Sequence, residues 1–185
     1  MSMQQRPRPP AQAASPVTLA DLNAMDEAGF VRVCGPLFEG SPWFASRAWK
    51  RRPFLSLEAL LAELTSTVTH AAETEKVALL SAHPDLVGRL SREGKLSRES
   101  TGEQAAAGLN ALSDDEVDRF DRFNAAYRQK FGFPFVICAR ENRKEAILDA
   151  FPRRLLHSRT EEIAAALGEI ATIARLRLLD RVTEG

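Results

Sequence analysis

The chain predicts an all-α fold: a single-domain multi-helix bundle with one buried extended segment. Helix-start residues recur along it, each ahead of apolar residues at helical spacing. The closing stretch, from about Thr160 to Arg181, sets Ile163, Leu167, Ile170, Ala174 and Leu178 along one face. Only Phe133-Pro134-Phe135-Val136-Ile137-Cys138-Ala139 reads as extended. It has no partner strand elsewhere, and its proline argues against a central sheet.

Taken in order, residues Met1 to Pro16 are rich in Pro, Gln, Arg and Ala with little to bury, so they predict a disordered arm (1–16) ahead of a helical domain over 17–183. Thr18 with Asp21, Ser41-Pro42 with proline at the first helical position, Ser56 before Leu57 to Leu64, and Ser113 with Glu116 mark successive helix starts. The fourth of these helices carries Val117, Phe120, Asn124 and Tyr127 on one stripe. Lys130-Phe131-Gly132 closes it with a basic last turn and a glycine stop. Helix returns from Arg143 to Phe151 and again in the closing stretch.

Composition removes several classes of function. Lys plus Arg and Asp plus Glu both number 25 in a chain of 185 residues, so there is no basic excess for a phosphate backbone and nucleic acid is excluded as a partner. No apolar run approaches the roughly 20 residues that span a bilayer, and the first residues lack a signal peptide's apolar stretch. The expectation is a cytoplasmic protein with no membrane partner. Cys34 and Cys138 cannot make a disulfide framework, and with three histidines the chain matches no zinc spacing, so no metal is expected. No glycine-rich phosphate loop or dinucleotide fingerprint is present, so no cofactor is expected either.

Two polar clusters stand out from the helical background. His83 precedes Pro84, which ends a helix at a ring that titrates near neutral pH. Ser100-Thr101-Gly102-Glu103-Gln104 opens a helix, and Ser100, Glu103 and Gln104 share one face. Arg177 projects a guanidinium from the core stripe of the closing helix and needs an anionic partner there, while Arg175 faces solvent. Each feature also has a structural reading. Ser100 and Glu103 fit a capping box, His83 fits a helix-end histidine satisfied by backbone, and Arg177 fits a salt bridge at the core edge. His70 and His157 read as structural.

Several motifs in order resemble those of the 2-oxo-4-hydroxy-4-carboxy-5-ureidoimidazoline (OHCU) decarboxylase family. They are Phe38-Glu39-Gly40-Ser41-Pro42-Trp43, His83-Pro84-Asp85-Leu86, Ser100-Thr101-Gly102-Glu103-Gln104, Asn124-Ala125-Ala126-Tyr127, Lys130 to Phe135, and Ile173-Ala174-Arg175-Leu176-Arg177-Leu178. The resemblance runs from about Leu19 to Val182. It implies a cofactor-free carboxy-lyase of urate breakdown that yields S-allantoin, with His83 and Glu103 as the catalytic pair. It further implies that Pro84, Ser100, Thr101, Gly102, Gln104 and Arg177 contact the substrate, with Phe135, Val136, Ile137, Cys138 and Ala139 presenting backbone groups to it. His157 stands where the family more often has a small amide. In this reading Glu103 holds His83, the site is small and polar, the partner is a small ureido-imidazoline, and the family likeness suggests a homodimer. Two other functions fit the same residues: a helical protein-interaction module without catalysis, and a ureide hydrolase whose His–Glu pair activates water.

Overall fold

The computed structural model describes residues 16–88 and 93–185; the arm expected over 1–16 lies, but for Pro16, outside them. Among the described residues the chain is all-α, with nine α-helices. α1 (Leu19–Ala24) starts at Thr18, whose side chain accepts the Asp21 N–H, and α2 (Glu27–Cys34) starts at Asp26 in the same way through Gly29. A 3-10 turn (Gly35–Leu37) leads to α3 (Trp43–Trp49), whose first flanking residue is Pro42. The start expected at Ser41 therefore falls one residue later. Ser41 is instead sealed in the interior, where its hydroxyl makes no hydrogen bond among the described residues.

α4 (Leu57–Thr69) is capped by Ser56, and α5 (Glu73–Ala82) runs into His83. α6 (Arg98–Ala106) begins at Ser97, and α7 (Asp114–Phe131) has the Ser113/Glu116 capping box and ends at Gly132 with φ 79°, the left-handed stop its sequence calls for. α8 (Lys144–Arg154) outruns its expected end at Phe151, continuing through Pro152 to a buried arginine. α9 (Arg159–Leu179) is the central element: it packs on α4, on α5 and on the 3-10 turn after α2. Its buried face includes Ile163, Ile170, Ala174 and Leu178, with Leu167 at the margin. Arg175 is exposed.

The extended segment is as expected: Phe133 to Ala139 is buried throughout and forms no strand. One small sheet departs from a purely helical chain. β1 (Val17–Thr18) and β2 (Val182–Thr183) pair in parallel, joining the two ends of the domain. Glu184 continues the closure by accepting the Leu57 N–H at 2.8 Å. Two residues per strand are too few to leave a period in the sequence. No helix of the described residues is long and apolar enough to cross a membrane.

Candidate active site

The site grows from the end of α5. Pro84 pushes His83 into extended backbone (φ −72°, ψ 140°), and the ring folds back over the last turn with Nδ1 2.9 Å from the Leu79 carbonyl. A carbonyl oxygen only accepts, so Nδ1 carries the proton and Nε2 of the neutral ring carries the lone pair. Nε2 is buried and has no partner among the described residues. The side chain is 7% exposed, and burial pushes its pKa below the ordinary 6.5. The Leu79 carbonyl and the charge of Glu39 oppose that shift, and Arg177 adds to it. At neutral pH the imidazole is uncharged, with a basic nitrogen held inside the protein.

Directly facing it is α6. Ser97, not Ser100, caps this helix, accepting the Ser100 N–H at 3.2 Å. Ser100 is thus the third helical residue, and the capping-box reading of Ser100 and Glu103 does not hold. Glu103, one turn further in, is free for other work. It takes Arg177 as a two-point fork: Nε to Oε1 and Nη2 to Oε2, both 2.7 Å. Arg177, 3% exposed, also donates through Nη1 to the Pro36 carbonyl at 3.0 Å and to Glu39 Oε2 at 3.2 Å. Burial disfavours its charge, but the carboxylates of Glu103 and Glu39 outweigh this and raise its pKa. Among the described residues, four of the five guanidinium N–H groups are engaged and one on Nη2 is left over.

The expected hold of Glu103 on His83 is therefore replaced by two separate arrangements. A planar guanidinium satisfies both carboxylate oxygens at once, which a single imidazole N–H cannot do. Sequence reasoning missed Glu39 as a site residue. Its Oε2 accepts from the Ser100 hydroxyl at 3.1 Å as well as from Arg177. Glu39 stood inside one of the quoted motifs, but nothing local marks it: it follows a 3-10 turn and lies 138 positions from Arg177.

The loop after His83 is held from two sides. Gln104 Oε1 accepts the Val87 N–H at 3.2 Å, and Asn124 Nδ2 donates to the Leu86 carbonyl at 2.8 Å. Between them Val87 adopts φ 57°, a costly conformation for a β-branched residue that persists only under such restraint. The Gln104 side-chain NH2 has no partner among the described residues. Opposite lies the extended segment, fixed from behind by Arg154, which donates to the Val136 carbonyl at 2.6 Å and lies over the Phe135 ring. The Cys138 N–H is committed to Glu169 at 2.8 Å. The N–H groups of Val136, Ile137 and Ala139 have no partner among the described residues.

These groups enclose a hollow of about 30 Å³. His83, Pro84, Ser100, Glu103, Gln104, Phe135, Val136, Ile137, Ala139 and Arg177 line it, together with Leu86 and Ile173. The cavity is small, as expected, but polar on one side only. Phe135, Val136, Ile137, Leu86 and Ile173 make the other wall apolar. Thr101, Gly102 and Cys138 do not line this hollow. Thr101 is exposed and bonds back to the Ser97 carbonyl, and Cys138 is buried behind the segment with burial raising its thiol pKa. Gly102 borders a larger neighbouring hollow of about 510 Å³, which shares Glu103 and Arg177 with the first. His70 and His157 lie elsewhere, on Ser66 and Glu162.

With this geometry in hand, comparison with known proteins is specific. The profile of the OHCU decarboxylase family matches residues 23–179. A protein of Haloferax volcanii described as 2-oxo-4-hydroxy-4-carboxy-5-ureidoimidazoline decarboxylase is 40% identical over 165 residues, covering 89% of this chain and 96% of its own. One of the same description from Mus musculus is 38% identical over 162 residues, covering 88% and 91%. The crystal structure of an (S)-allantoin synthase superposes with a TM-score of 0.71 at 28% identity; it covers 91% of this chain, which spans 54% of that longer one. The chain belongs to the OHCU decarboxylase family.

Proposed function

We propose that the chain catalyses the cofactor-free decarboxylation of 2-oxo-4-hydroxy-4-carboxy-5-ureidoimidazoline to S-allantoin, a step of urate breakdown. The observation that carries this reading is the neutral, buried His83 with an unpartnered Nε2, in the same hollow as the Arg177–Glu103 pair. The substrate brings its own electron sink. When the bond to the carboxylate breaks and carbon dioxide leaves, the electron pair moves toward the adjacent carbon–nitrogen double bond, whose nitrogen takes up a proton from solvent, the one proton the reaction consumes. The hydroxyl proton passes to His83 Nε2, a carbonyl forms, and the imidazolium returns a proton to the neighbouring carbon. Because His83 stands on one side of the hollow, that proton arrives on one face and one enantiomer results.

The remaining groups orient. The free Nη2–H of Arg177, the Gln104 NH2 and the Val136, Ile137 and Ala139 N–H groups are donors matched to the carbonyl and carboxylate oxygens of a ureido-ring compound. The apolar wall faces the departing carbon dioxide. A positioned acid–base group contributes about 10²–10⁴-fold, and orientation must supply the rest. The substrate is larger than the hollow, so binding widens it. The homodimer suggested by the family likeness belongs to this reading and is checked by light scattering.

Freshly generated substrate separates the readings. A decarboxylase releases carbon dioxide and leaves an optically active product. A ureide hydrolase would release ammonia or cleave the urea, and an interaction module would give neither.

A further inference from the structure

We propose that Glu39 is a positioning residue of this reaction: its carboxylate holds Ser100 and Arg177 against the cavity and stabilises the imidazolium that His83 becomes when it takes the substrate's proton. The inference rests on the decarboxylase reading above. One oxygen, Oε2, accepts both the Ser100 hydroxyl at 3.1 Å and Arg177 Nη1 at 3.2 Å, so a single atom joins α6 to α9. Glu39 reaches them from the turn after α2, whose Pro36 carbonyl receives the same Nη1 at 3.0 Å. Gly40 turns the chain there with φ 58°, and a Cβ on it would stand 3.1 Å from Ala82, the last residue of α5 before His83. The Glu39 turn and the His83 helix end are thus packed together.

The charges around His83 give Glu39 its second role. The charges that act on His83 are Glu39, from this turn, and Arg177, from α9; Glu103 of α6 shares the hollow with it, and the extended segment contributes no charged side chain. Glu103 is neutralised by the two-point fork with Arg177. Glu39 meets Arg177 through one longer contact, so its negative charge is the less compensated of the two. It acts on His83 in the direction that favours the protonated ring, while Arg177 acts against it. A carboxylate that stabilises a transient imidazolium lowers the barrier to proton removal without touching the substrate.

The test is Glu39→Gln beside Glu39→Asp, read by steady-state kinetics across pH and by imidazole NMR, with the His83 signal identified by its loss in His83→Asn. For Glu39→Gln, the expected result is a kcat lowered about tenfold or more and a His83 titration, with the pH limb it controls, displaced to lower pH. For Glu39→Asp, which keeps the charge and shortens the reach, the titration stays in place and KM rises. If Glu39→Gln fails to fold, Glu39→Asp alone decides, and wild-type kcat/KM in it overturns the proposal. An unmoved His83 titration with unchanged kcat in a folded Glu39→Gln also overturns it. Because the NMR titration needs no substrate, it speaks to Glu39 even where the wild type releases no carbon dioxide, the result that would instead remove the decarboxylase reading.

Discussion

α9 carries a buried ion-pair cluster at each end, and the two differ in what they leave over. Near its start, Glu162 is fully buried and saturated: it accepts from Tyr127, from Arg154 Nε at 2.8 Å and from His157 Nδ1 at 2.7 Å. Burial and the Glu162 hydrogen bond raise the Tyr127 pKa far above its usual range, so this phenol stays protonated. Near the other end, Arg177 meets Glu103 and Glu39, but an N–H, an imidazole lone pair and several backbone donors around it have no partner among the described residues. The first cluster ties α7, α8 and α9 together. The second surrounds a hollow. Even in the first cluster Arg154 Nη2 makes no hydrogen bond among the described residues, but it lies 2.5 Å from Glu162 Oε1 as an ion pair and borders no hollow of the site. Similar chemistry is structural where the charges close on one another and functional where donors and a lone pair are left facing a cavity.

The sharpest way to break this contrast is to truncate the closed cluster. Glu162→Ala leaves the Arg154 charge buried without its carboxylate and should cost about 3–5 kcal/mol in urea unfolding. A variant as stable as the parent would remove the distinction. At the open cluster the expected loss is catalytic. Glu103→Gln keeps the shape but loses the charge-assisted fork, and kcat/KM should fall about a hundredfold, equivalent to roughly 3 kcal/mol, with the helical circular dichroism intact. Arg177→Lys, which cannot reproduce a planar fork, should raise KM. An unchanged KM would mean that Arg177 serves only the fold.

Smaller effects sharpen the comparison through pH. His83 is depressed below 6.5 in the folded state, so the unfolded chain takes up its proton first as pH falls. Stability from this group is present above about 6.5 and is lost below it, by at most about 1.4 kcal/mol per pH unit. His83→Asn should flatten that part of the stability–pH curve, and a curve of unchanged slope would contradict the buried neutral ring. The smallest change is expected for His157→Asn, since its side chain is 38% exposed and its bond to Glu162 is one of several. Thermal unfolding should register less than about 1 kcal/mol.

What could be read in advance follows the range of the interactions. Thr18, Ser56, Ser113 and Gly132 act on the backbone within a few residues, and each lies where its pattern predicted. The buried run at Phe133 to Ala139 was legible because it is uniformly apolar. Ser100 misled because Ser97, three residues earlier, competes for the same cap, and both fit the spacing rule. Arg177 announced itself as a charge on an apolar stripe, but its partners, at 74 and 138 positions' distance, are set by tertiary packing. Glu39 has no local signature, whereas the Leu79 carbonyl, one turn back from His83, is the backbone partner that the helix-end reading of this histidine called for.

The central claim is that a neutral imidazole, with its free nitrogen in the cavity, moves the proton of the reaction. Turnover of freshly generated substrate by His83→Asn, followed by the optical activity of the product, tests it most directly. The account predicts a folded variant whose enzymatic rate falls to that of the spontaneous reaction and whose product is racemic. Full activity with one enantiomer from that variant would contradict it.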